Sequence, residues 1–224
     1  MSLYKKFKYR AEEKSLRAGY GELSDFDDPI GLITDWTPLL RGGTNIKSHK
    51  LVWEGQDKLR FKASWGHIMI AGFVFLLGLS LPLLFFLGNN SGSFVEASVA
   101  IIAGLLFAAI GAYLYYNGTQ PIVFDKKQGF FYKGRKNTDK NSEKAKVKYM
   151  VRLEDIYALQ LLSEYISSEG KETYSYEINL VLKDATRVNV IDHGKLSTIR
   201  QDASTLADFL DVPVWDVIKN ITAR

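Results

Sequence analysis

The sequence has no cysteine among its 224 residues, which excludes a disulfide framework, a thiolate nucleophile and any cysteine-based metal site. Histidine is almost as scarce. His49, His67 and His193 are the only three, and they are too scattered for the i, i+4 spacing of a helical metal pair. Also missing are a G-x-x-x-x-G-K-S/T phosphate loop and a G-x-S-x-G nucleophile elbow. "LRGG" and "GRK" are therefore not phosphate loops, and Asp192 beside His193 in "IDHG" has no placed nucleophile to serve; that stretch is expected to close a strand. "SDFDD" at 24–28 lacks the spaced ligands and the glycine of a calcium loop and is expected to cap and turn the chain. No catalytic residue, metal or cofactor is expected.

Charge is missing in one place only. From Trp65 to Gln120 there is a single formally charged residue, Glu96, while the other 53 of the 54 lysines, arginines, aspartates and glutamates lie in the flanks. The averages of 24% charged residues and mean hydropathy −0.08 conceal this segregation. "WGHIMIAGFVFLLGLSLPLLFFL", Trp65 to Leu87, would be roughly 34 Å long as a helix, and "ASVAIIAGLLFAAIGAYLYY", Ala97 to Tyr116, roughly 30 Å. Neither shows a polar face at helical period. No signal-peptide pattern precedes them, so both are expected to stay in the mature protein. Between them lies "GNNSGSF", residues 88 to 94, short and without a basic residue. Lys58, Arg60 and Lys62 stand before the first run, and Lys126, Lys127, Lys133, Arg135 and Lys136 after the second. Short loops rich in lysine and arginine stay on the cytoplasmic side. The expectation is a transmembrane hairpin in a cell inner membrane, with the short loop outward and both termini cytoplasmic. Pro82 is expected to kink the first span, with Ser80 near the freed carbonyl. Ala100, Gly104, Ala108 and Ala112 recur every four residues and form a smooth ridge for helix packing, with Gly72 and Gly78 of the first span as receivers; a homodimer is the second reading of the same ridge.

The flanks alternate as strands do. "SHKLVW" and "KLRFKAS" bracket "EGQD", and "IVF" and "FFYKG" flank a turn. "YMVRLEDIYALQLLSEYI" reads as a strand pair or, because its apolar residues recur every three, as a helix; a strand is the favoured expectation, since a turn-rich stretch follows. In "YSYEINLVL", Tyr174, Tyr176, Ile178, Leu180 and Leu182 alternate strictly, and "VNVID" supplies a partner strand after the turn "KDATR". Ser197 is the expected N-cap of a closing helix with Ile199, Ala203, Leu206, Phe209 and Leu210 on one face. Pro213 interrupts it, and Trp215, Ile218 and Ile221 continue an amphipathic pattern. The domain plan is a cytosolic N-terminal segment 1–47, irregular but packed, with Ile30, Leu32, Ile33, Trp36, Leu39 and Leu40 available to bury; a β-hairpin at 48–63; spans at 64–88 and 95–117 joined by an outward loop at 89–94; and a cytosolic β-rich domain at 118–224. The fold class is an α+β membrane protein. Seven strands and a C-terminal helix, over roughly residues 48 to 63 and 121 to 211, resemble a bacterial pleckstrin-homology-like module with a membrane hairpin inserted between its second and third strands. A separate C-terminal sheet with a loosely docked N-terminal flank is the plainer alternative.

From Asp125 to Lys148 there are nine lysines or arginines against three acids. Near an anionic leaflet each is worth on the order of 1 kcal/mol. Lys126, Lys127, Lys133, Arg135, Lys136, Lys144, Lys146 and Lys148 are thus the candidate lipid- or partner-binding residues, with topology signals and solvated loop charges as the plainer account. A net charge of +4 is accounted for by the membrane, so nucleic acid is not an expected partner. The expected function is a non-enzymatic membrane-anchored adaptor or scaffold binding anionic headgroups and a partner protein. The alternative is an immunity protein that neutralises a membrane-acting toxin.

Overall fold

The structure is a computed structural model, described here for residues 28–40, 48–88, 92–135, 147–168 and 171–218. It is of mixed α+β class, with a sheet-rich region and two long apolar helices. The chain divides into two compact units, and the boundary passes through the first two strands: Ser48–Val52 and Arg60–Pro121 form one unit, and Trp53–Leu59 joins the described residues from Ile122 onward, with 28–40, in the other.

The helical unit contains α2 (Trp65–Gly88) and α3 (Phe94–Gly118), each long and apolar enough to cross a membrane. Glu96, the one charge in this region, belongs to a capping box: Ser93 Oγ accepts from the Glu96 N–H, and the Glu96 carboxylate accepts from the Ser93 N–H. The two helices pack through residues with almost no side chain. A Cβ built on Gly78 would lie 2.3 Å from the Ala108 nitrogen, and one on Gly111 2.4 Å from the Phe75 nitrogen. Gly72, by contrast, faces open space. Gly104 and Ala108 of the small-residue ridge are buried and Ala100 is half-buried, but Ala112 is exposed and Gly111 is buried beside it. A four-residue repeat turns about 40° around the helix at each step, so it leaves the contact line within three steps. The buried set Gly104, Ala108, Gly111 and Gly118 instead averages the spacing of two helices that stay in contact along their length. Ser80 Oγ bonds to the Leu77 carbonyl, 2.9 Å away, so it does not serve the Gly78 carbonyl that Pro82 leaves without its usual donor.

One sheet has the order β1-β2-β3-β4-β5, with β1 at His49–Trp53, β2 at Lys58–Ala63, β3 at Ile122–Asp125, β4 at Phe130–Gly134 and β5 at Val147–Arg152; its last three strands and the β1–β2 turn belong to the β-rich unit. Strands β2 and β3 are neighbours, although the two long helices lie between them in sequence. Within this unit the Lys126 N–H donates to the Asp57 carbonyl at 2.8 Å, and Lys58 pairs with Asp125 at 3.1 Å. The second sheet has the order β8-β7-β6-β9, with β6 at Ile156–Ser168, β7 at Lys171–Leu182, β8 at Arg187–His193 and β9 at Val214–Asp216. The single strand expected from "YMVRLEDIYALQLLSEYI" is two, β5 and β6, divided by a 3₁₀ turn at Leu153–Asp155. Against the seven strands expected, the described residues form nine.

Helix α4 (Leu196–Leu210) lies against β6, β7 and β9 and buries Ile199, Ala203, Leu206 and Phe209. Its N-cap is Lys195, which makes no side-chain capping hydrogen bond, so Ser197 falls inside the first turn and is not the cap. Asp211 ends the helix in the left-handed region, φ 58°. Pro213 then biases the chain to extended backbone, and Trp215 enters β9, parallel to β6, in place of a continued helical pattern. Ile221 lies outside the described residues. Phe124 and Phe131, ring centroids 4.6 Å apart, are fully buried with Leu159, Leu161, Ile178 and Leu180.

Candidate functional site

Strand alternation divides β7 into two faces. Tyr174, Tyr176, Ile178 and Leu180 share one; Ser175, Glu177, Asn179 and Val181 share the other, and register brings Ala158, Gln160 and Leu162 of β6 onto the latter. β8 adds Arg187, Asn189 and Asp192 to it, with a register shift opposite Ile178/Asn179. Alternation alone gives this second face to solvent. It is nonetheless buried: Gln160 and Asn179 are 0% exposed and Glu177 is 4%.

Residues 28–40 form a strap across that face. Pro29–Ile33 is a single helical turn, α1, started by Asp28, whose Oδ1 accepts from the Ile30 and Gly31 N–H groups at 2.9 Å. The Tyr157 hydroxyl donates to the other Asp28 oxygen at 3.0 Å. The Trp36 indole N–H donates to the Gly31 carbonyl, and its ring stacks on Trp215 with centroids 5.8 Å apart. Ile30 and Trp36 pack on Ala158, Val181 and Trp215. Leu32, Ile33, Leu39 and Leu40, expected to be available for burial, are exposed, and Leu39 and Leu40 engage their main chain instead.

The strap's main chain is held by side chains of the sheet. Gln160 Nε2 donates to the Asp35 carbonyl at 3.1 Å, and Arg187 Nη1 to the Thr37 carbonyl at 2.8 Å. Arg187 Nη2 also pairs with the Asp35 carboxylate at 3.0 Å. The Leu39 N–H donates to Glu177 Oε1 at 2.8 Å and the Leu40 N–H to Oε2 at 3.4 Å. Asn179 Nδ2 donates to Glu177 Oε1 at 2.7 Å. Burial pushes the Glu177 carboxyl above its ordinary value; the Asn179, Leu39 and Leu40 donors pull it back part of the way, and Asp192 adds to the push. Burial likewise raises Asp192, with Glu164 adding to it, against the Asn189 hydrogen bond and the Lys133 charge.

The basic residues separate into different roles. Lys133 turns inward: its ammonium donates to the Asn189 carbonyl, the Asn189 Oδ1 at 2.9 Å and the Val190 carbonyl at 2.9 Å. These acceptors lie where the β7/β8 register slips, where ladder bonds fail. Lys126 and Lys127 are exposed in the β3–β4 turn. Lys126 lies over the Phe209 ring, 4.6 Å from its centroid, and Lys127 pairs with Asp57 at 3.4 Å. Arg135 is half-buried. Lys136, Lys144 and Lys146 lie outside the described residues, and Lys148 is placed by its backbone alone, in β5. A hollow of about 340 Å³ between the β1–β2 and β3–β4 turns is lined by Glu54, Asp57, Lys58, Asp125 and Lys127. Burial pushes Asp125 up, but the Gln128 N–H and Lys58 outweigh it and hold the carboxyl below its usual range. Within the hollow Lys58 is thus paired with Asp125 and Lys127 with Asp57.

His67 belongs to the helical unit, where Nε2 lies 3.1 Å from the Leu114 carbonyl and a Cβ on Gly118 would strike the ring. Among the described residues no group of three or more His, Asp or Glu is placed to hold a metal ion. The residues that sequence reasoning missed are Gln160, Glu177, Asn179, Arg187 and Asn189. A usable signal was present in the amides, since asparagine is depleted in strands unless its side chain has a purpose there. Comparison of the chain with known protein families, curated proteins and solved structures gives no match.

Proposed function

We propose that this chain is a membrane-anchored adaptor, not an enzyme. In this reading α2 and α3 cross the inner membrane as a hairpin, and a pleckstrin-homology-like β-rich domain on the cytoplasmic side recruits a partner protein while resting on anionic headgroups. The observation that carries the reading is the inverted burial of the two helices. They bury Ala71, Gly78, Gly104, Ala108, Gly111 and Gly118, and leave Trp65 79%, Phe73 68% and Ile102 65% exposed. A helix pair that turns its largest apolar side chains outward requires an apolar surround, and lipid supplies one.

The connections support an anchored domain. Only Ser64 lies between β2 and α2, and only residues 119–121 lie between α3 and β3. The lysine-rich flanks favour a cytoplasmic β-rich part. Exposed Lys126 and Lys127 would add about 1 kcal/mol each near an anionic leaflet.

The lack of native cysteine gives a clean test. Ser91→Cys, between the two apolar runs, is expected to react with a membrane-impermeant maleimide in intact cells, and Lys127→Cys only after lysis. The reverse pattern, or extraction of the chain by alkaline carbonate, overturns the anchored reading. Crosslinking in cells followed by mass spectrometry tests recruitment, and recovery of no specific protein partner discards the adaptor.

A further inference from the structure

The geometry points to a second role for the polar face of β6, β7 and β8: it is a groove for a peptide segment, filled in cis by residues 28–40, which a partner segment of similar chemistry enters by displacing the strap. This inference rests on the adaptor reading and names the chemistry of what the adaptor would recruit.

Four observations carry it. First, the sheet recognises main chain. Gln160 and Arg187 donate to two carbonyls of one segment, and Glu177 accepts from two of its N–H groups. A face that only had to be covered by its own chain is as well served by apolar side chains, because replacing buried charges by apolar groups is often neutral or stabilising. Second, the acceptor is oriented independently of the strap: Asn179 Nδ2 holds the Glu177 carboxylate at 2.7 Å from within the same strand. Prior orientation of this kind lowers the cost of binding. Third, the strap gives little apolar area in return. Ile30 and Trp36 pack on the sheet, while Leu32, Ile33, Leu39 and Leu40 are exposed. Segments held by few apolar contacts open at low cost. Fourth, the contacts specify an occupant. Arg187, its side chain 6% exposed, takes a carboxylate at the Asp35 position, and Trp215 takes an aromatic ring at the next. The fitting ligand is therefore a peptide segment with an acidic residue followed by an aromatic, and with main-chain N–H groups presented three and four residues after the aromatic.

A cis strap competes at an effective concentration in the millimolar range, so added peptide should bind the unmodified chain weakly. The probe is a fluorescent synthetic peptide with the sequence of residues 28–40, titrated by anisotropy against the full chain in detergent. The control peptide carries Ala-Ala in place of the Asp-Trp pair. Trp36→Ala weakens the cis contact and is expected to raise the apparent affinity at least about tenfold, by enlarging the binding-competent fraction. Because that change also strips a ring from the sheet face, Asp35→Ala is run beside it and is expected to shift binding in the same direction. Adding Arg187→Ala to either should return binding to the level of the control peptide. Equal binding of the two peptides by both loosened variants overturns the groove. The two readings fail separately: peptide binding without any cellular partner removes the adaptor and leaves the groove, whereas a recovered partner with no peptide binding removes the groove and leaves the adaptor.

Discussion

The helical pair and the β-rich unit bury opposite kinds of residue. Between α2 and α3 the buried residues are glycines and alanines, while phenylalanines and leucines face outward. In the β-rich unit the fully buried residues include Phe124, Phe131, Leu159 and Ile178, with Gln160, Glu177 and Asn179 buried alongside. On the anchored reading proposed above, the difference reflects what surrounds each part. In water, burying a large apolar side chain is worth about 1.5–3 kcal/mol, so large residues go inside. In lipid that gain vanishes, and close approach of two backbones becomes the source of attraction.

One chemical change should therefore have two outcomes. Phe131→Ala is expected to cost about 4 kcal/mol in the β-rich core, read as a loss in urea midpoint by near-ultraviolet circular dichroism. Phe73→Ala, on the outward face of α2, is expected to change detergent-phase stability by less than about 0.5 kcal/mol. Equal losses would break the contrast. The converse substitution comes next in size. Gly111→Leu sets side-chain atoms against the Phe75 main chain, so the helices must part, at about 3 kcal/mol. Thermal unfolding in detergent with tryptophan fluorescence checks it, and a variant as stable as the parent would show that the close approach is dispensable.

Glu177 refines the comparison from the polar side. Glu177→Ala strips the acceptor from the Leu39 and Leu40 N–H groups and from Asn179, at an expected cost of about 2 kcal/mol in urea unfolding. The pH dependence has a definite sign. Glu177 and Asp192 are held above their ordinary values by burial. In the interval from about pH 4 up to those raised values, the folded chain keeps protons that the unfolded chain has released. Their contribution is complete below that interval and declines as pH rises through it. Asp125, held low, acts oppositely: its contribution is present above the ordinary range and is lost as pH falls. Glu177→Gln should flatten the decline above about pH 4, and an unchanged slope would remove Glu177 as its source. The smallest effect is expected at Lys127→Ala. Its pair with Asp57 is solvent-exposed, 80% and 46%, and such pairs are worth less than about 1 kcal/mol, so urea unfolding should move by under about 0.5 kcal/mol.

Much of the architecture is legible from the sequence because it rests on local patterns. The apolar lengths from Trp65 and from Ala97, the alternation of Tyr174 to Leu182 and the face of Ile199, Ala203 and Leu206 all mark elements that the structure contains. The β5–β6 break at Leu153 is not visible there, since a 3₁₀ turn inside an apolar run disturbs no periodicity. The strap's position is invisible for a different reason. Alternation assigns a residue to a face but says nothing about what covers that face, so Glu177 and Asn179 read as solvated. The contact between Leu39 and Glu177 spans 138 residues, and no short pattern links them. Charge counts group Lys133 with its basic neighbours because they ignore the direction a side chain takes from its strand.

That inward turn has a chemical consequence. Acylating reagents attack only amines with an available lone pair, and the Lys133 ammonium is engaged with three oxygen acceptors around the β8 irregularity. In timed acetic anhydride labelling read by peptide mass, Lys126 and Lys127 should modify early and Lys133 late. Once acylated, position 133 could no longer hold those oxygens together.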